Sequence, residues 1–475
     1  MTTMPSQLID GAWEDGDSAL EVTNPADGSV VGHVAWSGPK AAQRAADAAA
    51  RAFGAWSDLP ARRRSDILLD ASRLIAERAD TLGALLAREA GKRLPEAVGE
   101  LAFSAEYFRW FAEQARRPNG EVIPHEAGDR RHVTVRRPVG VVASLTPWNF
   151  PCSIQARKLA PALAAGCTVV ARVSEKAPLA ATEMIRALDD AGVPGGVVNL
   201  VHGPAREITQ TLLDHDAVRA VTFTGSTPVG REIMASAARR VVRPLLELGG
   251  DAAFVVLDDA DLEAAVEGAM LAKFRNTGQS CIAANRFVVH EDVHDEFVER
   301  LVARIDAMSI GDGLADDCPD LGPVIDTARV EAVSSLVDEA ISQGARRLTR
   351  ERELPPGGTF VAPTLLADVP DEAAIATQEV FGPAAAVFRF RDLDEAVARA
   401  NRTEMGLAAY VWSGDLSRCW RTAERLEAGI VGVNNALPSV AFAPMGGVKQ
   451  SGLGREGASV GLEEFEDVRY LSVGL

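Results

Sequence analysis

From about residue 138 onward the chain alternates between two kinds of segment, and that alternation limits what it can fold into. Pro138 to Leu145 (PVGVVASL) is a near-continuous, β-branched run, the pattern of a strand buried on both faces of a parallel sheet. An Ala-rich helical stretch follows, then residues 166–171 (GCTVVA) as a second strand. A helix through Glu183 to Leu188, a strand at Val197 to Val201, a helix near Ile208 to Leu213, a strand at Ala220 to Thr224 and a helix at Val229 to Ala237 continue the series. This βαβα rhythm predicts an α/β fold with a doubly wound parallel sheet. A second α/β series begins near Ala253 to Leu257 (AFVVL) and runs past Asn434, which predicts a second domain. Two segments fit neither series. Residues 120–137 read as a polar β-hairpin, and the C-terminus ends in an apolar strand signal, Val468 to Val473. Together they predict a small projecting β extension.

A chain of 475 residues is too long for one hydrophobic core, which agrees with two or three domains. Its net charge of −18 argues against a nucleic-acid or anionic-membrane partner, since both need a positive surface. A small anionic substrate needs only one or two local arginines and is not excluded. The N-terminal MTTMPSQLIDGAWEDGDS lacks the basic start and apolar run of a signal peptide. No stretch approaches the roughly 18 apolar residues of a membrane span. Cys152, Cys167, Cys281, Cys318 and Cys419 are sparse and odd in number, which predicts neither a disulfide framework nor a zinc site. The expected setting is therefore the reducing cytoplasm.

Three pattern matches are rejected on context. His290-Glu291-Asp292-Val293-His294 matches HExxH, but Arg286 to His290 reads as a strand and the helix is expected to start near Asp292. The two histidines would not share a helix face. Residues 452–457 (GLGREG) match GxGxxG without the βαβ unit the fingerprint needs, and predict a turn-rich loop. Residues 225–230 (GSTPVG) resemble half a P-loop, yet Arg231-Glu232 stands where Lys-Ser/Thr is required. That segment follows a strand and opens a helix, so it could still hold a pyrophosphate at the helix N-terminus.

The chemistry-bearing candidates lie in one polar loop and at two strand ends. Cys281, in Asn276-Thr277-Gly278-Gln279-Ser280-Cys281, sits in a polar loop between regular elements, as a nucleophile would; a lone cysteine is also a common core residue. Glu247, at the end of the apolar run before Gly249-Gly250, is a general base or a solvated strand end. Asn149, in Pro147-Trp148-Asn149-Phe150-Pro151, stabilises an oxyanion or caps a turn.

Taken together, PWNFP at 147–151, FTGSTPVG at 223–230, LELGG at 246–250, GQSC at 278–281, EVFGP at 379–383 and PMGGVKQSGLGREG at 444–457 closely resemble the aldehyde dehydrogenase superfamily, in motif order and over nearly the whole length. The resemblance implies an NAD(P)-binding domain over 1–119 and 138–247, a catalytic domain over 248–440 and a returning loop over 441–454. It implies an oligomerisation segment at 120–137 and 455–475, in a homodimer or homotetramer. Cys281 would attack an aldehyde, Asn149 and the Cys281 backbone N–H would hold the oxyanion, and Glu247 would activate water against the thioester. NAD or NADP would bind beside Thr146, Trp148, Gly225, Ser226, Gly230 and Leu248, with Glu379 and Phe381 at the nicotinamide riboside. Arg172 and Ser174 take the place of the family's adenosine-ribose motif, which usually begins Lys-Pro. Glu175 matches the ribose-binding glutamate, and a carboxylate there favours NAD over NADP.

Within the superfamily, KFRNTGQSC at 273–281, NFPCSIQARK at 149–158 and AGIVGVN at 428–434 resemble succinate-semialdehyde dehydrogenases. That subgroup implies that Arg157, Arg275 and Ser439 grip a substrate carboxylate, a task suited to guanidinium forks. The chain departs from the subgroup at Asn435, Pro438 and Met445, and Ala283 replaces the second cysteine of its redox switch. A broad-specificity dehydrogenase for uncharged aldehydes is the alternative; a non-catalytic structural protein on the same scaffold is the remote one.

Overall fold

The computed structural model describes residues 6–117 and 120–475. Its first sheet has eight strands, in the order Gly452–Leu453, Arg243–Glu247, Val218–Thr224, Val141–Leu145, Thr168–Arg172, Val198–Leu200, Gln7–Ile9, Ala12–Glu14. The strands from Arg243–Glu247 to Val198–Leu200 are parallel and the outer ones antiparallel. Starting from Val141–Leu145, the chain winds outward through Thr168–Arg172 and Val198–Leu200, then returns to the other side for Val218–Thr224 and Arg243–Glu247. The winding therefore reverses between Val141–Leu145 and Val218–Thr224, and such a reversal opens a crevice at the carboxyl ends of the strands.

Both faces of this sheet are covered, which explains the unbroken apolar runs. Val142, Val169 and Ala171 pack with residues of the helices Ala61–Glu77, Leu94–Gln114 and Leu179–Asp190. Their neighbours Val141, Ala143 and Val170 pack on the other face with Ala41, Ala45 and Ile208. The second sheet runs Arg346–Arg347, Thr364–Ala367, Ala384–Phe390, Ala284–His290, Ala252–Val256, Ala408–Trp412, Ile430–Val433. All its pairings are parallel except the first, around a core that includes Phe254, Phe287 and Tyr410.

A separate three-stranded antiparallel sheet joins Glu466–Gly474, Arg130–Pro138 and Val122–Pro124. Val122, Ile123, Val468, Tyr470, Leu471 and Val473 on it are exposed. Only Glu466–Gly474 joins it from the C-terminal stretch; of the preceding residues Gly452–Leu453 pairs with the first sheet, and Glu456 is buried beside Lys158. The expected strand Pro138 to Leu145 is in fact two. Pro138 ends the strand paired with Glu466–Gly474, and a new strand in the first sheet begins at Val141. Gly140 makes the corner at φ +132°, where a Cβ would meet the Arg219 side chain at 2.8 Å. Residues 452–453 are not only a loop, as expected, but an edge strand on Arg243–Glu247.

His290 ends a strand, and its ring caps the helix Glu291–Ala307 by accepting the Asp292 N–H at 3.3 Å. The cap takes it off the helix face that a zinc site would use. Among the described residues no cluster of three metal-ligating side chains occurs, and no helix is long and apolar enough to cross a membrane.

Candidate active site

The loop of the candidate nucleophile Cys281 is held in an uncommon backbone conformation. Asn276, Thr277 and Gly278 take φ of +52°, +56° and +73° in succession. Side chains rarely accept that region unless surroundings enforce it. Here the Asn276 N–H donates to Glu96 Oε2 at 3.2 Å and Thr277 Oγ1 donates to the Gly322 carbonyl at 3.1 Å. Gln279 Nε2 donates to the Asn276 carbonyl at 3.2 Å, while Gln279 Oε1 accepts the Ile325 N–H at 2.9 Å. At Gly278 a Cβ would lie 2.2 Å from the Gly382 carbonyl oxygen, so only glycine fits. The loop delivers Cys281 to the meeting point of two cavities, and it lines both.

Asn149 follows the strand Val141–Leu145, and Pro151 opens the helix Pro151–Ala165, a position where a missing N–H costs nothing. Asn149 Nδ2 donates to the Gln279 carbonyl at 3.1 Å. A primary amide has two N–H donors, so one stays available beside Cys281, in the cavity that both residues line.

Glu247 is the last residue of Arg243–Glu247, paired with Thr224 on one side and Gly452 on the other. It is 3% exposed, and neither carboxyl oxygen has a hydrogen-bond partner among the described residues. Burial raises its pKa well above the usual carboxylate range, and the buried charge of Glu456 pushes the same way. Lys158, Arg157 and Arg455 pull it back. Burial likewise pushes the Cys281 thiol up to about 12; Glu379 and Glu247 add to this, and Arg157 opposes it. The thiol is thus neutral at rest, and a nearby proton acceptor is needed to form the nucleophilic thiolate.

The first cavity, about 320 Å³, is lined by Phe103, Phe150, Ile154, Ile282, Leu437 and Met445, together with Arg157, Arg275 and Ser439. All three sequence-predicted carboxylate ligands therefore line one space, but the arginines differ. Arg275 stacks on Phe150 with 5.4 Å between guanidinium and ring centroid, and makes no ion pair among the described residues. Arg157 is 7% exposed, 3.6 Å from Glu456 Oε2, over the Tyr107 ring at 5.3 Å, and bonded to the Met445 sulfur. The two guanidinium groups thus differ in their surroundings: neighbours already engage that of Arg157.

The second cavity, about 250 Å³, is lined by Trp148, Asn149, Gly225, Ser226, Leu248, Glu379 and Phe381, with Arg329. Thr146 and Arg172 line a neighbouring cavity of about 550 Å³ with Arg206, Gln210 and Arg239. Ser174, Glu175 and Gly230 line neither. Gly230 lets the helix Thr227–Ala238 approach Leu248, whose Cδ2 a Cβ would meet at 2.4 Å. Glu175 is ion-paired with Arg172, which also donates to the Gly203 carbonyl at 3.2 Å. That pairing holds the Glu175 carboxyl below its usual pKa against the opposing effect of burial. Glu379 accepts the Gly250 N–H at 3.2 Å, and burial lifts its pKa to about 7.

Sequence reasoning missed Lys158, Glu456, Lys92, Glu100 and Arg329. Lys158 Nζ lies 2.6 Å from Glu456 Oε1 and 2.9 Å from Thr222 Oγ1. For Lys158 and Glu100 the sequence signal was a charge inside a largely apolar helical stretch, which normally marks a paired group; Lys92 and Glu456 lie outside helices and carried no such signal.

The profile described as the aldehyde dehydrogenase family matches residues 13–471. A glutarate-semialdehyde dehydrogenase of Pseudomonas aeruginosa is 44% identical over 98% of this chain and 97% of its own. An NADP(+) succinate-semialdehyde dehydrogenase of Escherichia coli is 44% identical with the same coverage. The crystal structure of a succinate-semialdehyde dehydrogenase from Burkholderia pseudomallei superposes with a TM-score of 0.97 at 42% identity, covering 100% of this chain and 98% of that one.

Proposed function

The chain belongs to the aldehyde dehydrogenase family, and from that premise we propose that it oxidises a semialdehyde with a remote carboxylate to the dicarboxylate. Succinate semialdehyde and its one-carbon-longer homologue are the candidates, by likeness to the Escherichia coli and Pseudomonas relatives. The single observation behind this reading is the apolar cavity that has Cys281 at one end and the unpaired guanidinium of Arg275 in its wall. An apolar lining accommodates the methylene chain, and a fork of N–H donors suits the carboxylate.

Cys281 Sγ attacks the aldehyde carbon as its proton leaves to water in the cavity. The second N–H of Asn149 Nδ2 stabilises the oxyanion formed. Glu247 later takes a proton from the water that hydrolyses the thioester. Its raised pKa brings it nearer to that of its task than an exposed carboxylate would be.

A nicotinamide cofactor fits the second cavity. The free N–H groups at the start of the helix Thr227–Ala238, after Ser226, suit a pyrophosphate. The cavity floor at Gly249 has no room for a side chain, since a Cβ would lie 2.9 Å from Glu379 Oε2. Glu379 and Phe381 would hold the nicotinamide riboside, and Thr146, Trp148 and Arg172 would border the remainder. Bound there, the cofactor supplies the acceptor for the hydride. Arg172 partly neutralises Glu175, so the carboxylate's preference for NAD is softened and NADP is also accepted. The exposed apolar residues of the three-stranded sheet support a homodimer or homotetramer, in the cytoplasm.

A neutral-aldehyde substrate is the second reading, favoured by the engagement of Arg157 with Glu456 and Met445. Turnover of succinate semialdehyde against an unbranched uncharged aldehyde of equal length, with NAD and NADP in parallel, separates them. Equal kcat/KM on both aldehydes would overturn the semialdehyde proposal.

A further inference from the structure

One buried ion pair grips the turn that carries Asn149 from two sides. Lys92 is 2% exposed; its ammonium lies over the Phe150 ring at 4.1 Å and donates to the Asn149 carbonyl at 2.8 Å and to Glu100 Oε2. Glu100, 5% exposed on the helix Leu94–Gln114, uses its other oxygen to accept the N–H groups of Cys152 at 2.9 Å and Ser153 at 3.1 Å. Those are free donors at the start of Pro151–Ala165, a helix with no side-chain cap of its own. The carboxylate therefore replaces a local cap and complements the positive end of the helix. The second lone pair of the Asn149 carbonyl is taken by Asn276 Nδ2 at 3.0 Å, from the loop that carries Cys281. Asn149 Nδ2 in turn reaches the Gln279 carbonyl on the same loop. The turn and the loop of Cys281 are thus fixed relative to each other through both the carbonyl and the side-chain amide of Asn149.

Desolvating an ion pair costs more than burying apolar groups of similar size. Charge-assisted bonds to main chain on both sides of one reactive side chain offer a local return for that cost. We propose that Lys92 and Glu100 are positioning residues for the oxyanion step. Through the Asn149 carbonyl and the start of the following helix they aim the free amide N–H at the oxygen that becomes charged when Cys281 adds. The proposal rests on the reading of Asn149 as the oxyanion donor. It assigns to the ion pair an effect on the rate of the first chemical step rather than on substrate affinity.

The test is a cycle on the full-length enzyme with bound cofactor, read as the single-turnover burst of reduced cofactor. Asn149→Ala is expected to slow the burst by about 10²–10³-fold. The near-isosteric, neutral pair Lys92→Met with Glu100→Gln is expected to slow it by about ten- to a hundredfold, as a small misplacement does, with aldehyde KM within about threefold of wild type. Combining all three changes should be no slower than Asn149→Ala alone, because the pair acts through that amide. Should the double variant not fold, Glu100→Gln alone leaves the helix start a neutral acceptor and is expected to slow the burst by about tenfold. A folded variant with a wild-type burst would overturn the proposal, as would losses that multiply in the combined variant. A wild-type burst from Asn149→Ala would remove the oxyanion reading and this inference together. A slow Asn149→Ala beside a fast ion-pair variant would remove this inference only.

Discussion

The two cavities that meet at Cys281 are walled by different parts of the chain. On the cofactor side the decisive surfaces are main chain: Gly225, Gly249, the helix start after Ser226 and the turn at Pro147. At Gly225 a side chain is excluded, since a Cβ would press on the Phe223 ring at 2.3 Å. On the other side the walls are side chains, six of them large and apolar, interrupted by charged and polar groups that include Glu96, Glu100, Arg157, Arg275 and Ser439. A site made of main chain comes with the fold, so any chain that builds this sheet and its strand-end turns inherits it. A site made of side chains can be altered residue by residue while the backbone stays as it is, and it is where specificity can reside.

Removing the shared wall should affect both sides most. Cys281→Ala is expected to abolish dehydrogenation, by on the order of 10⁴-fold or more, while cofactor binding followed by fluorescence quenching and the thermal midpoint stay near wild type. Turnover within tenfold of wild type would refute the thioester mechanism. Glu247→Gln should separate the two halves of the reaction in time. The burst should survive while steady-state turnover falls by about 10²–10⁴-fold. Burial and Glu456 raise the Glu247 pKa, so it is protonated at low pH and becomes a base as pH rises. Wild-type deacylation should therefore increase with pH, and the Gln variant should lose that dependence. Burst and steady state falling together would place Glu247 in thiol activation instead.

The arginines sharpen the comparison within the substrate cavity. A charge-assisted contact contributes about 1.5–3 kcal/mol. Arg275→Ala is accordingly expected to raise KM for succinate semialdehyde by roughly ten- to a hundredfold and to leave a neutral aldehyde nearly unchanged. Arg157→Ala should instead slow both aldehydes and lower the thermal midpoint, because among the described residues Glu456 keeps only Lys158 as an ion-pair partner. If the two variants discriminate charged from neutral substrates equally, the asymmetry between them is wrong. Ser439→Ala should cost less than Arg275→Ala, as a neutral hydroxyl bonds a carboxylate more weakly. The smallest effect is expected on the cofactor side. Glu175→Gln leaves Arg172 without its ion-pair partner and should shift kcat/KM toward NADP by about tenfold. A shift toward NAD would reverse the charge argument at that position.

Legibility in the sequence followed the range of the interactions involved. The alternating strands and helices were readable because a strand buried on both faces must be apolar at every position, and 141–145 and 168–172 are buried throughout. Glu247 and Asn149 stood out because each ends or follows a strand run, at the edge where a parallel sheet presents its ligands, and Cys281 because it sits in a polar loop between a helix and a strand. The split at Gly140 was not readable: Pro138 to Leu145 is one apolar run, and only pairing of Arg130–Pro138 with a strand more than 300 residues later divides it.

By itself the sequence determined the two α/β series, the strand-end turns and the nucleophile loop, all set by patterns within a few residues. Tertiary structure alone decided which charges meet. Lys158 and Glu456 are 298 positions apart, Lys92 and the Asn149 carbonyl 57, Asn276 and that same carbonyl 127. The sequence does not tell Arg157 from Arg275 by partner either: one lies inside the helix Pro151–Ala165 and the other directly follows the helix Leu262–Phe274. Their difference arises because a buried charge must find its partner wherever packing delivers one. Packing delivered Glu456 to Arg157 and left Arg275 open to the cavity.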